Sequence, residues 1–322
     1  MHDVQATARE GYLRTHLEER YDVHVENLQR LDKGVYSINL RDGRRWVARV
    51  FPAGRSIAQV EGDAAILWFL EQQGFPAERC ADANPITVLY GRGILVTDFI
   101  AGSSADSSKL SLSALGALLG RLNLVPVEDG AITREAGALH HYAQNGGDPQ
   151  NELIAASAFL AEIEDRIPAQ NRSLYEFLQK QITDADTCHD LPQALIHPDP
   201  VLKNILITEN NNPVLIDWTG TGRGPRLASL AVLIWSCALQ KGGWSSRRID
   251  AVVAGYRSHI RLEERELVRL AGAMRIRPLT FACWRYRSAI ISERLPDGTE
   301  WWWPSDELTQ AIAARACAAF QK

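Results

Sequence analysis

A chain of 322 residues with 46% hydrophobic content is long enough to fill one large core or the cores of two lobes. Its formal net charge of −4 gives no strong field for nucleic acid or for an anionic membrane, so neither is expected as a partner. The five cysteines (Cys80, Cys188, Cys237, Cys283, Cys317) lie far apart without a C-x-x-C pair, and they read as buried thiols rather than a zinc or redox centre.

The first twenty residues carry charges throughout, and no run approaches the roughly 18 apolar residues of a membrane span. The expected location is therefore the cytoplasm. After an amphipathic opening helix, His24 to Phe51 reads as three short strands in a meander, with turns at Asp32-Lys33-Gly34 and Arg41-Asp42-Gly43. Ser56 to Gln59 fits a capping box. It opens a helix whose apolar positions Ile57, Val60, Ala64 and Leu67 recur at helical spacing until Gly74 stops it. Two more strands follow, around Ile86 to Leu89 and Ile94 to Phe99. The small-residue stretch Ala101-Gly102-Ser103-Ser104 then reads as a linker, which sets the expected lobes at 1–101 and 102–322.

From Leu110 onward helical periodicity dominates, apart from a β-rich island between Ala194 and Ile216. Two strand-like runs in it, Asn204 to Thr208 and Pro213 to Ile216, are joined by Glu209-Asn210-Asn211-Asn212, a composition suited to a hairpin turn. The fold class expected is α+β: an antiparallel sheet with one main helix, then a mainly helical lobe.

The chemistry concentrates in that island. Leu195-Ile196-His197-Pro198-Asp199-Pro200-Val201-Leu202-Lys203-Asn204-Ile205-Leu206 precedes Val214-Leu215-Ile216-Asp217-Trp218, which distributes two acids and an amide around one hairpin. Side chains at the open end of a hairpin converge although they are distant in sequence. Oxygen ligands of this kind suit Mg²⁺, which takes one or two carboxylates and leaves its other positions to phosphates and water. The remaining carboxylate can then act as a base. A lone D-x-x-x-x-N would be explained as well by a polar hairpin whose Asp and Asn form turns.

The whole pattern H-x-D-x-x-x-x-N, an apolar strand and I-D-W resembles the catalytic loop and metal motif of the aminoglycoside phosphotransferase and choline kinase family, which has a two-lobed protein-kinase-like fold. The resemblance implies Asp199 as the base that accepts a substrate hydroxyl's proton, Asn204 and Asp217 as Mg²⁺ ligands, and His197 as a brace for the loop. Pro198 and Pro200 flank the base where small and apolar residues are common. Pro225 and Arg226 stand at the D-P positions of the family's D-W-E-x-x-x-x-G-D-P-x-x-D-L-A stretch, and Ser229 replaces an Asp that steadies the catalytic loop.

The same resemblance calls for a cation on the third strand to hold the α- and β-phosphates, and Arg49 in Trp46-Val47-Ala48-Arg49-Val50-Phe51 is the candidate. Its expected partner is Glu61, which lies four residues after Ile57, three before Ala64 and seven before Trp68, and so is expected to point inward. The turn around Gly34 would lie over the triphosphate, although a plain hairpin turn explains it about as well. Leu95 to Gly102 resembles the hinge, with the Asp98 carbonyl and Ile100 amide pairing with the purine edge of ATP or GTP.

Trp284-Arg285-Tyr286-Arg287 and Glu300-Trp301-Trp302-Trp303 could form an aromatic acceptor pocket, but aromatic helices more often pack as core. Arg275, Arg277, Arg285 and Arg287 could favour an anionic acceptor; solvated surface is the plainer reading. His140-His141 and Arg247-Arg248 have no partner spacing and read as exposed. The function expected is Mg²⁺-dependent transfer of a nucleotide γ-phosphate to a small hydroxylated acceptor, such as an antibiotic, amino alcohol or sugar-like metabolite. The rival is a nucleotide-binding pseudokinase acting as a regulatory or assembly module, motivated by the Pro-Asp-Pro loop and Ser229.

Overall fold

The computed structural model describes residues 2–127, 149–294 and 306–322; the pair His140-His141 and the run Glu300 to Trp303 lie outside them. The chain divides into two compact units, one running to Gly102 with Thr208–Asn210, the other Ser103–Ile207 with Asn211–Lys322.

The first unit opens with α1 (His2–Tyr21), followed by β1 (Val25–Asp32), β2 (Val35–Leu40), β3 (Arg45–Val50), α2 (Ile57–Gln72), β4 (Ile86–Leu89) and β5 (Arg92–Asp98). The strands form one antiparallel sheet in the order β1-β2-β3-β5-β4. Alternation along each strand turns Ile38, Leu40, Trp46, Ala48, Ile94 and Val96 to one face, where they pack with Leu13 and Leu17 of α1. Both halves of the expected capping box are made at the start of α2: Ser56 Oγ accepts from the Gln59 amide, and the Gln59 side chain accepts from the Ser56 amide.

The second unit is mainly helical. Its elements are β6 (Gly102–Ser104), α3 (Lys109–Leu122), α4 (Pro149–Ala161), α5 (Arg172–Thr183), β7 (Gln193–Ile196), β8 (Ile205–Thr208), β9 (Pro213–Leu215), β10 (Gly222–Pro225), α6 (Arg226–Ala238), α7 (Ser246–Arg257), α8 (Glu264–Leu267), α9 (Leu270–Ile291) and α10 (Asp306–Phe320). The linker expected at residues 101–104 thus contains a short strand. Helices α4, α5 and α9 share a core that includes Phe159, Tyr175, Leu279, Cys283 and Tyr286. Helices α3 and α7 approach to backbone contact: a Cβ at Gly116 would stand 2.0 Å from the Val252 carbonyl oxygen, and one at Gly255 1.9 Å from that of Ser113. Either substitution would force the pair apart. All five cysteines are free thiols, with Cys188, Cys237 and Cys283 buried. No helix among the described residues is long and apolar enough to cross a membrane.

Candidate active site

The His197 to Asn204 segment of the second unit is positioned by a strand pair that the sequence only half shows. Strand β7 pairs antiparallel with β10, Ile196 opposite Gly222 and Gln193 opposite Pro225. Gly-Arg-Gly-Pro carries little β-propensity, so periodicity gave no sign of β10. Its backbone is extended because β7 supplies the ladder. Behind β7, the Asn123 side-chain amide donates to the Leu195 carbonyl at 2.9 Å, and the Tyr256 hydroxyl donates to Asn123 Oδ1 at 2.9 Å.

His197 follows β7 and is fully buried. Pro198 and Pro200 contribute no backbone donors, which leaves the Asp199 amide as the one N–H of the Pro-Asp-Pro stretch. It donates to His197 Nδ1 at 3.1 Å. Nδ1 is therefore an acceptor, the proton is on Nε2, and Nε2 donates to the Ile216 carbonyl at 3.2 Å. Burial holds the His197 pKa below its ordinary value, against the pull of the Asp217 and Asp199 carboxylates, so the ring is neutral. Its edge-to-face contact with Trp218, at 5.0 Å between centroids, completes the packing. His197 ties the loop to Ile216, the residue before Asp217, which is a bracing role.

Strands β8 and β9 form the expected hairpin, with Ile205 opposite Leu215 and Asn211 at φ 58° in its turn. One step beyond the last pair, the Ile216 amide donates to the Asn204 carbonyl at 2.9 Å. Asn204 and Asp217 thereby flank the open end of the hairpin. The Asn204 amide nitrogen donates to the Asp199 carbonyl at 2.8 Å and to Asp199 Oδ2 at 3.0 Å. That commits Nδ2 to the loop and leaves Oδ1 as the Asn204 atom suited to a cation. Asp217 is half-buried with φ 66°, a left-handed conformation that costs a non-glycine residue and is held here by its neighbours. One amide oxygen and one carboxylate suit Mg²⁺, which keeps its remaining positions for water and phosphate. Among the described residues no cluster of three or more His, Cys, Asp or Glu side chains stands ready for a metal, so the protein would supply only part of any shell.

Two basic side chains flank the Asp199 carboxylate. Lys203 Nζ lies 3.4 Å from Oδ2, and Arg277 Nη2 of α9 lies 3.9 Å from Oδ1. Sequence reasoning did not single out Lys203, and for Arg277 it took solvated surface as the plainer reading. Arg277 is instead buried, with its Nη1 donating to buried Glu152 of α4. Arg285 is exposed as expected, and Arg287 pairs with Glu162. Tyr286 packs in the core with Trp284 against it, as the core reading of these aromatics had it.

Ser229, where the resemblance leads one to expect a loop-steadying Asp, donates its hydroxyl to the His197 carbonyl at 2.8 Å. The neighbouring departure, Arg226, makes a bidentate pair at 2.8 and 2.6 Å with fully buried Glu266, which anchors the start of α6 to α8.

Within the first unit, Arg49 is half-buried near the end of β3, opposite Val35 of β2 and Leu95 of β5. Gly34 closes the β1–β2 turn at φ 76°, and a Cβ there would stand 2.6 Å from the Val50 carbonyl oxygen, so the turn requires glycine. Asp98 ends β5, with its amide donating to the Arg79 carbonyl at 2.8 Å, and half-buried Ile100 follows two residues on. The Asp98 carboxyl is held above its ordinary pKa, first by desolvation and then by Glu71.

Glu61 does not point inward. It is exposed, on the same stripe of α2 as exposed Trp68, whereas Val60, Ala64 and Leu67 of the expected apolar positions are buried. The buried acid of α2 is Asp63, whose partner Arg55 approaches to 2.6 Å. Arg55, next to the cap residue, was not singled out from the sequence.

The sequence matches no curated protein, but solved structures share its fold. A choline kinase from Streptococcus pneumoniae superposes with a TM-score of 0.61 at 13% identity, over 97% of this chain and 99% of that one. An amicoumacin kinase solved in complex with AMP-PNP, Ca²⁺ and Ami gives 0.63 at 15% identity, over 100% and 96% of the two chains. An aminoglycoside phosphotransferase from Streptomyces rimosus, in complex with ADP and streptomycin, gives 0.58 at 20% identity, over 83% and 97%. These likenesses establish the protein-kinase-like architecture. The model of the phosphotransferase enzyme family matches residues 28–263, a span that takes in β3, the His197 to Asn204 loop, the hairpin and Ser229. On that match the chain belongs to the phosphotransferase enzyme family.

Proposed function

We propose that the chain is a Mg²⁺-dependent O-phosphotransferase that moves the γ-phosphate of ATP or GTP to a hydroxyl of a small molecule. The observation that carries this reading is the bond from Asn204 to Asp199, made at the same hairpin mouth that Asp217 leaves. It gathers a base and two oxygen donors of different chemistry at one end of one hairpin. Asp199 would accept the hydroxyl's proton, and its amide and carbonyl are both tied, so its carboxylate is held ready for that task. Asn204 Oδ1 and Asp217 would hold Mg²⁺, which neutralises charge on the nucleotide phosphates. Arg49 would hold the α- and β-phosphates, Gly34 would let a backbone turn approach them, and Asp98 and Ile100 would present backbone groups to the purine.

The regulatory alternative drew on the Pro-Asp-Pro loop and on Ser229. Ser229 braces the loop through the His197 carbonyl, and the one N–H of the Pro-Asp-Pro stretch is used, which favours turnover over a silent module. The deciding experiment is nucleotide consumption with Mg²⁺ across amino alcohols, hydroxy acids, sugars and antibiotics, followed by mass spectrometry for a gain of one phosphate. Binding of Mg²⁺–nucleotide without transfer to any acceptor would favour the regulatory module.

A further inference from the structure

The two cations that flank Asp199 differ in what they can reach. Arg277 is buried and fixed between the carboxylates of Glu152 and Asp199. Lys203 is the reverse: its side chain is 74% exposed, and among the described residues it pairs only with Asp199, at 3.4 Å from Oδ2. An exposed ion pair between residues four apart contributes little, so the ammonium gives up this contact readily. Its backbone, by contrast, is held. Leu202 to Asn204 form a single 3₁₀ turn, in which the Asn204 amide donates to the Val201 carbonyl at 2.9 Å and the Ile205 amide to that of Leu202. A fixed backbone with a mobile four-carbon stem lets the charge follow a group that changes position. The charge at the hairpin mouth calls for such a group. Asp199 and Asp217 place two carboxylates there, and a nucleoside triphosphate adds more negative charge than one Mg²⁺ offsets.

Resting on the phosphotransferase reading, we propose that Lys203 is a further catalytic residue, whose ammonium leaves Asp199 when both substrates are bound and binds an outer oxygen of the transferring γ-phosphoryl group. Nζ already stands 3.4 Å from the carboxylate that would meet the acceptor hydroxyl, and the oxygen of that hydroxyl is the atom that bonds to the phosphorus. In the transfer, the acceptor oxygen forms its bond to the γ-phosphorus while its proton passes to Asp199. The bond from that phosphorus to the bridging oxygen breaks, and its electron pair stays on the nucleoside diphosphate. Lys203 neither gives nor takes a proton. It offsets charge on the outer oxygens, where a donor is worth most while the group is in transit. Its departure also frees Asp199 Oδ2, which keeps the bond from Asn204, to accept from the hydroxyl.

The test uses two nucleotides that differ by the γ-phosphate, Mg²⁺–AMP-PNP and Mg²⁺–ADP, so that it does not require the acceptor to be identified. Each is titrated into wild type, into Lys203→Met, which keeps the length of the stem without its charge, and into Lys203→Arg, which keeps the charge. The titrations are run at 0.15 M salt, where exposed charges more than about 8 Å apart are largely screened. Lys203→Met is expected to weaken AMP-PNP about 10- to 100-fold and ADP less than about 3-fold, with Lys203→Arg between it and wild type. Where an acceptor turns over, Lys203→Met is expected to lower kcat about 10²- to 10³-fold. Equal weakening of the two nucleotides, no weakening of either, or an unchanged kcat overturns the assignment of Lys203 and leaves the phosphotransferase reading standing. Wild type that binds neither nucleotide with Mg²⁺ overturns both.

Discussion

Ser229 donates its hydroxyl to the carbonyl of His197 at 2.8 Å, in a buried position where the carbonyl has no access to water. The bond ties the start of α6 to the loop that carries Asp199. Removing the hydroxyl in Ser229→Ala leaves a buried acceptor unsatisfied, which costs about 1–3 kcal/mol. Urea unfolding is expected to show a lower midpoint at unchanged slope. An unchanged midpoint would mean that the loop does not depend on this brace.

The buried His197 ring predicts acid lability. Its folded pKa lies below the ordinary 6.5 because desolvation outweighs the neighbouring carboxylates. Below pH 6.5 the unfolded chain therefore binds a proton that the folded chain does not, and stability falls as pH drops toward the folded pKa. His16 of α1 has its pKa lowered by burial as well, so the readout is a difference between proteins. In His197→Asn the side-chain oxygen can still accept from the Asp199 amide, and the loss of stability between about pH 7.5 and about pH 5 should be smaller than in wild type. Equal losses would show that His197 does not titrate with unfolding.

Asp199→Asn is expected to retain Mg²⁺-dependent nucleotide binding and to lose about 10²- to 10⁴-fold in turnover, since the amide keeps the shape but cannot take a proton. Asp217→Ala should do the reverse, abolishing Mg²⁺-dependent nucleotide binding with the hairpin intact. Nucleotide titration at fixed Mg²⁺, with turnover assayed alongside, separates the two roles. Wild-type turnover in Asp199→Asn would remove the base, and wild-type affinity in Asp217→Ala would remove the metal ligand.

On α2 the two acids should behave oppositely. Glu61→Ala, at an exposed position, is expected to change stability by less than about 0.5 kcal/mol. Asp63→Asn takes the charge from a pair whose side chains are 2% and 9% exposed and strands Arg55, at a cost of about 3–5 kcal/mol. A thermal melt of each variant decides which acid the helix needs.

What made Asp199, Asn204 and Asp217 legible was local: four residues separate the first two, and a hairpin with a composition-coded turn returns the third to the same end. The Ser56 cap and the meander were legible for the same reason, since turns, caps and alternation act over a few residues. On α2, Val60, Ala64 and Leu67 are buried, but Glu61 was misjudged because Trp68 was taken as an inward marker with them and is exposed at 37%. A large amphipathic ring does not fix the phase of a helix.

The sequence by itself determined the meander, the capped helix after it, the β8–β9 hairpin and the resemblance to the family, because these depend on short-range chemistry. Only the tertiary structure decided that Gly-Arg-Gly-Pro becomes a strand, that Ser229 reaches the His197 carbonyl, and that Arg277 lies beside Asp199. Each joins residues roughly 30 to 80 positions apart. Such a contact exists because the core brings two elements together, and neither local segment encodes it alone.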